Sequence, residues 1–194
     1  ACIMYLLIGY NLMYGSGNSF IGGGFLLSGI AGADGISYYG DDGPTHAMHA
    51  DFFFQVVFVA TAMSVVSGAV AERMRLWAFL AFAVVFTAVI YPIQGHWSWG
   101  GGLLGEFGYS DYAGSGIVHM AGASAALAGV MLLGPRAGKF TKDGGIRAIP
   151  GANLPLATVG TLILWFGWFG FNGGSELSMS SKGAADAVAT VFLN

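Results

Sequence analysis

The chain has 194 residues, of which 55% are hydrophobic and only 9% charged, with a mean hydropathy of +0.67 and a formal net charge of −3. Soluble domains carry about 25% charged residues, so this composition excludes a soluble globular enzyme. A single cysteine, Cys2, excludes an intrachain disulfide, and no basic leader with a cleavage site is visible.

Uncharged runs cover 1–33, 52–71, 76–105, 112–135 and 148–175. Each of the last four reaches the ~20 residues that a helix needs to cross a bilayer. The fold class is therefore all-α, a polytopic transmembrane helix bundle. In chain order, a first apolar segment over 1–14 gives way to glycines in YGSGNSFIGGGFLLSG and then to a polar, turn-rich loop. A second span is expected over 52–71, and a third from Leu76 to Ile93, ending at Pro92 and GHWSWGGG. Residues 95–111 form a connection, 113–133 a fourth span, and 154–173 a fifth, opened by Asn153 and Pro155. The chain begins and ends inside apolar runs, so 1–194 reads as a single partial transmembrane domain, an internal segment of a longer protein.

Charge placement predicts orientation. Arg73 and Arg75 lie in one connection, and Arg136, Lys139, Lys142 and Arg147 in another two spans later. Segments 15–51 and 96–111 hold no Lys or Arg, and the former carries Asp34, Asp41, Asp42 and Asp51. Basic connections stay on the cytoplasmic side. The 136–147 loop is thus expected to be cytoplasmic, with Trp99 and Asp111 outward.

Many of the 33 glycines fall among alanine and serine, as in GASAALAG over 122–129. Small residues of this kind let helix backbones approach in lipid. Near the outer ends of the expected spans stand Phe54 and Phe58, which share a helix face, then Trp99, and then Phe171 and Ser175. If they converge, the rings can hold a small cation by cation–π attraction and Ser175 can accept a hydrogen bond from it. The pattern leaves this reading and an ordinary interfacial aromatic belt equally open for Phe58 and Trp99. Trp97, Tyr109, Trp165 and Trp168 read as belt, and His46, His49 and His96 as loop residues. His119 differs, because an ionisable side chain inside a span normally faces the bundle interior and marks a pathway. Asp111 fits a helix N-cap and also a source of negative potential beneath a cation cage. A hydrolase built on Ser124 and His119 is set aside, since residues five apart point from different faces of a helix.

The stretches FFFQVVF, SGAVAERMRLWA, YPIQGHWSWGGGLL, DYAGSGIVHMAGASAALAG and NLPLATVGTLILWFGWFGFNGGS together resemble the ammonium transporter family (Amt/Mep, with the Rh proteins as cousins). The resemblance extends over nearly the whole chain in order and spacing, and Trp99 favours the Amt/Mep branch. It implies an eleven-span fold built on an inverted five-span repeat. On that template the chain runs from the second span to the start of the seventh. It further implies that Phe58, Trp99 and Ser175 bind ammonium or methylammonium, and that Phe54 and Phe171 gate the pore, with Gln55 beside the gate. Asp111 takes a structural and electrostatic role, and His119 lines the pore as the first of two histidines. No cofactor, metal or nucleic acid is implied. A lipid bilayer of the cell membrane, a homotrimer at full length and a regulatory protein on the cytoplasmic side are. The expected function is ammonium transport, with NH4+ deprotonated after capture and NH3 conducted. The alternatives are an ammonium sensor within a larger signalling protein and an Rh-type gas channel.

Overall fold

The computed structural model describes residues 1–24, 36–37 and 46–194. Most of the expected acidic loop, with Asp34, Asp41 and Asp42, lies outside the described residues. Two compact units are formed, Ala1–Gly134 and Pro135–Asn194.

In the first unit an apolar helix, α1 (Cys2–Tyr14), is followed by a short antiparallel pair, β1 (Ile36–Ser37) with β2 (His46–Ala47). Helix α2 (Met48–Val70) starts directly after β2, so His46 lies in the strand and His49 in the helix's first turn rather than in a loop. Helix α3 (Leu76–His96) and helix α5 (Ser115–Leu133) complete the set, with a single turn, α4 (Leu103–Glu106), between them. In the second unit, α6 (Leu154–Gly174) and α7 (Lys182–Leu193) follow a tight turn in which Thr141 N donates to Gly145 O at 2.8 Å. Among the described residues, four helices, from α2, α3, α5 and α6, are long and apolar enough to cross a membrane.

Helices α3 and α6 start where the sequence places them, whereas α2 starts at Met48, ahead of the expected 52, and α5 at Ser115, after the expected 113. Asn153 Oδ1 accepts from Leu156 N at 2.9 Å, and Pro155 occupies the first turn of α6, where its missing N–H removes no bond. The third span departs from expectation. It continues through Pro92 to His96, because Phe86–Ile90 form a π-helical turn and the α-helix restarts at Tyr91. Pro92 then falls in the opening turn of a fresh α-helical segment, the one place where a helix tolerates it.

The small-residue stripe serves close approach. A Cβ on Gly122 would stand 2.7 Å from Ala62 O of α2, and one on Gly129 2.9 Å from Val70 Cγ1. Residues 122 and 129 are seven apart, so one face of α5 runs along α2 at near backbone contact. Similarly, a Cβ on Gly9 would meet Thr87 O at 2.8 Å and Pro92 Cγ at 2.9 Å where α1 crosses α3. At the far end of α2, Arg73 Nη1 donates to Gly134 O at 2.6 Å and Nη2 to Ala69 O, tying the ends of α2 and α5 together. The core holds Tyr5, Met13, Val59, Phe86, Tyr91 and Val118, all essentially buried.

Overpacking a close crossing costs about 1–3 kcal/mol. Gly122→Leu is expected to lower the thermal midpoint of the detergent-solubilised protein clearly. Gly160→Leu, at a position with open space, is expected to leave it near the wild-type value.

Candidate functional site

The site is built from the turn that launches α5. Asp111 lies three residues ahead of the helix N-cap, Gly114, rather than at the cap itself. Its carboxylate nevertheless does the capping. Oδ1 accepts from Gly114 N (2.8 Å) and Ser115 N (3.0 Å), and Oδ2 from Gly116 N (2.9 Å) and Ile117 N (2.8 Å). Four N–H groups converge on one carboxylate at the head of a helix, so these otherwise orphaned donors all find an acceptor. The geometry demands glycine at 114, and at 116 a side chain would displace Tyr109. Gly114 has φ +102°, and a Cβ on Gly116 would strike Tyr109 Oη at 2.4 Å.

Asp111 also holds the aromatic cluster. Its backbone carbonyl accepts from Trp99 Nε1 at 2.6 Å. The Trp99 ring lies 5.7 Å from that of Phe58, and the Phe58 ring 4.5 Å from that of Phe54 in an edge-to-face arrangement. Phe58 is 2% exposed and lies between the other two, whereas Phe54 and Trp99 are half-buried. Residues from α2, from the 97–102 turn and from the head of α5 thus meet at one place.

The turn carrying Trp99 is clamped from behind. His96, expected in a loop, ends α3 and is buried, with Nδ1 2.7 Å from Met13 O and Nε2 2.8 Å from Asn18 O. Trp97 Nε1 donates to Phe20 O and Leu103 N to Ser19 O. The turn after α1 therefore sets the height of the Trp99 ring.

His119 falls in a second π-helical turn, Ser115–Met120, and is half-buried. It lies eight residues beyond Asp111 and four beyond Ser115, where the helix begins. A cavity of about 540 Å³ runs along α5 between α2 and α3, from Gln94 and Gly116 past Met120 and Ser124 to Leu132. Its wall is apolar apart from Gln94 and Ser124, and it does not include His119. Ser124 and His119 thus open onto different faces and form no dyad. In the second unit, Ser175 caps α6, and its Oγ donates to Phe171 O at 2.7 Å. The hydroxyl hydrogen is engaged there, and the oxygen lone pairs are left to accept.

Sequence reasoning missed the long-range partners: Tyr10, Asp51 and Gln94. Asp51 carried a visible signal, a carboxylate directly before FFFQVVF. Tyr10 carried none, because its hydroxyl meets Asp51 across 41 residues.

With this geometry in place, comparison with known proteins defines the class as a membrane transporter fold. The model of the Ammonium Transporter Family matches residues 1–193. The chain belongs to that family. It is similar to ammonium transporter Amt2 of Archaeoglobus fulgidus, at 47% identity over 91% of this chain and 38% of the relative. A putative ammonium transporter of Synechocystis is 43% identical over 98% of this chain and 41% of its own length. Among solved structures, a Sensor Amt Protein superimposes with a TM-score of 0.85 and 36% identity, over 99% of this chain and 46% of that one. Saccharomyces cerevisiae Mep2 follows with 0.74 and 26%, over 92% and 39%. The chain spans about two fifths of the length of the curated relatives it matches.

Removing the capping carboxylate orphans four donors in one turn. Asp111→Ala is expected to cost about 1–3 kcal/mol, read as a lower thermal midpoint. Asp111→Asn, which keeps one acceptor oxygen, is expected to fall between it and wild type.

Proposed function

We propose that the protein containing this chain moves ammonium across a membrane. The observation that carries the reading is the Phe54–Phe58–Trp99 ring array held by Asp111. Ring faces attract a small cation by roughly 0.5–1 kcal/mol each when exposed and about 2 or more when desolvated. NH4+ is captured at the Phe58 and Trp99 rings, and Ser175, Phe54 and Phe171 keep the binding and gating roles that the family resemblance implies. An ion pays a large desolvation penalty in an apolar conduit that neutral NH3 avoids, so the proton passes to water on the outer side before NH3 enters the conduit. NH3 then crosses past His119, which offers hydrogen bonds. Asp111 has both oxygens engaged by backbone N–H groups, so its part is to hold Trp99 and the head of α5 in register.

The reading keeps 1–194 as one partial transmembrane domain with Trp99 and Asp111 outward and 136–147 cytoplasmic. At full length it takes the form of a homotrimer in the cell membrane with a regulatory protein on the cytoplasmic face. A second reading, an ammonium sensor, is favoured by the likeness to a solved Sensor Amt Protein. Ammonium-dependent tryptophan fluorescence in vesicles that accumulate no methylammonium would select it.

The test uses the full-length parent in cells lacking other ammonium uptake. Trp99→Leu is expected to weaken apparent methylammonium affinity by roughly tenfold, the scale of one lost cation–π contact. His119→Ala is expected to abolish or alter uptake at unchanged expression. Wild-type kinetics in both variants would reduce Trp99 to a belt residue and remove His119 from the pathway.

A further inference from the structure

A second polar cluster stands apart from the Asp111 turn. Asp51 is only 4% exposed, although it is a carboxylate in the first turn of a span. Tyr10 Oη donates to its Oδ2 at 2.6 Å, and Gln55 Nε2 reaches Oδ1 at 3.4 Å. His46 Nε2 stands 3.6 Å from the same Oδ1. A carboxylate offers about four acceptor sites, and these contacts fill the Oδ1 side with one long bond and a more distant imidazole. Gln55 is 6% exposed, and its Oε1 is buried with no hydrogen-bond partner among the described residues. Buried amide oxygens without partners are rare because the lost hydration is not replaced.

Position gives the cluster meaning. Asp51, Gln55 and Phe58 are spaced by four and three residues, so they follow one face of α2. Asp51 stands about 10 Å from Phe58 along the axis, toward the α2 N-terminus. A bland role for Asp51 is to complement the positive end of α2. That role needs neither burial nor an unpaired amide oxygen beside it. Asp111 does not compete for a cation in this way, since four N–H groups saturate it. Asp51 keeps acceptor capacity.

We propose that Asp51 and Gln55 Oε1 form a second binding station for a small N–H-donating cation of the ammonium or methylammonium class, on the face of α2 that leads to Phe58. The carboxylate supplies the charge in a poorly solvated place, where it acts more strongly than in bulk water. Gln55 Oε1 accepts one N–H, and Asp51 Oδ1 another. The remaining hydrogens leave the cation free to pass to Phe58. Tyr10 holds the carboxylate in place as a positioning residue. The station rests on the transport reading above and deepens it.

The test is methylammonium uptake by the full-length parent, with KM and Vmax measured separately at constant expression. Asp51→Asn is expected to raise KM about tenfold or more, the scale of one lost charge-assisted hydrogen bond, with Vmax kept. Asp51→Glu should recover part of the affinity. Gln55→Leu removes the acceptor at similar size and should raise KM as well, and it decides the matter if Asp51→Asn does not reach the membrane. A wild-type KM in Gln55→Leu, or a loss confined to Vmax in Asp51→Asn, overturns the station and makes the cluster structural. Trp99→Leu run in parallel separates the two failures. If it changes KM while the Asp51 and Gln55 variants do not, only the station falls; if uptake is indifferent to all three, the transport reading falls with it.

Discussion

One carboxylate organises the ring cluster of the first unit. Asp111 collects four backbone N–H groups at the head of α5 and lends its own carbonyl to the Trp99 indole. Without it, the four donors that open the helix would lose their acceptor. Capping and ring placement are thereby one act. The turn that satisfies the backbone is the turn that sets Trp99 against Phe58, and Gly114 is there because its φ of +102° suits glycine.

The rest of the first unit supports that turn from two directions. The crossing of α1 over α3 at Gly9 and Pro92, with His96 between the carbonyls of Met13 and Asn18, fixes the chain leading into Trp99. The crossing of α5 over α2 at Gly122 and Gly129 fixes the helix leading out of Asp111. In lipid no hydrophobic drive gathers helices, so backbone proximity and a few buried polar bonds must do so. The glycine content of the chain finds its physical use here.

Much of this was legible in the residues alone. Uncharged runs bounded by Arg73, Arg75 and Arg136 mark the spans, Asn153 with Pro155 marks the start of α6, and GASAALAG announces a close crossing. Phe54 and Phe58 at a spacing of four foretell their ring contact. What stayed hidden depends on hydrogen bonds between distant segments. Pro92 reads as a stop unless the wide turn before it is known, and His96 reads as a loop residue because its partners are carbonyls near residue 15. Asp111 reads as a cap, but the glycine that occupies the cap position lies three residues later. The Tyr10–Asp51 bond joins segments 41 residues apart in the chain. Local pattern carries no trace of it.

The wide turn over Ser115–Met120 has an effect on phase. Each α-helical residue advances by about 100° around the axis, whereas an i→i−5 turn accommodates an additional residue for nearly the same rotation. The azimuth of the imidazole at 119 relative to the rings above is therefore set by that added residue. So is its azimuth relative to the Gly122–Gly129 seam below. A chain shorter by one in this turn would keep its composition and its length of oil, yet swing everything below it by about a quarter of a revolution. Either the histidine or the glycine seam would then face the wrong neighbour.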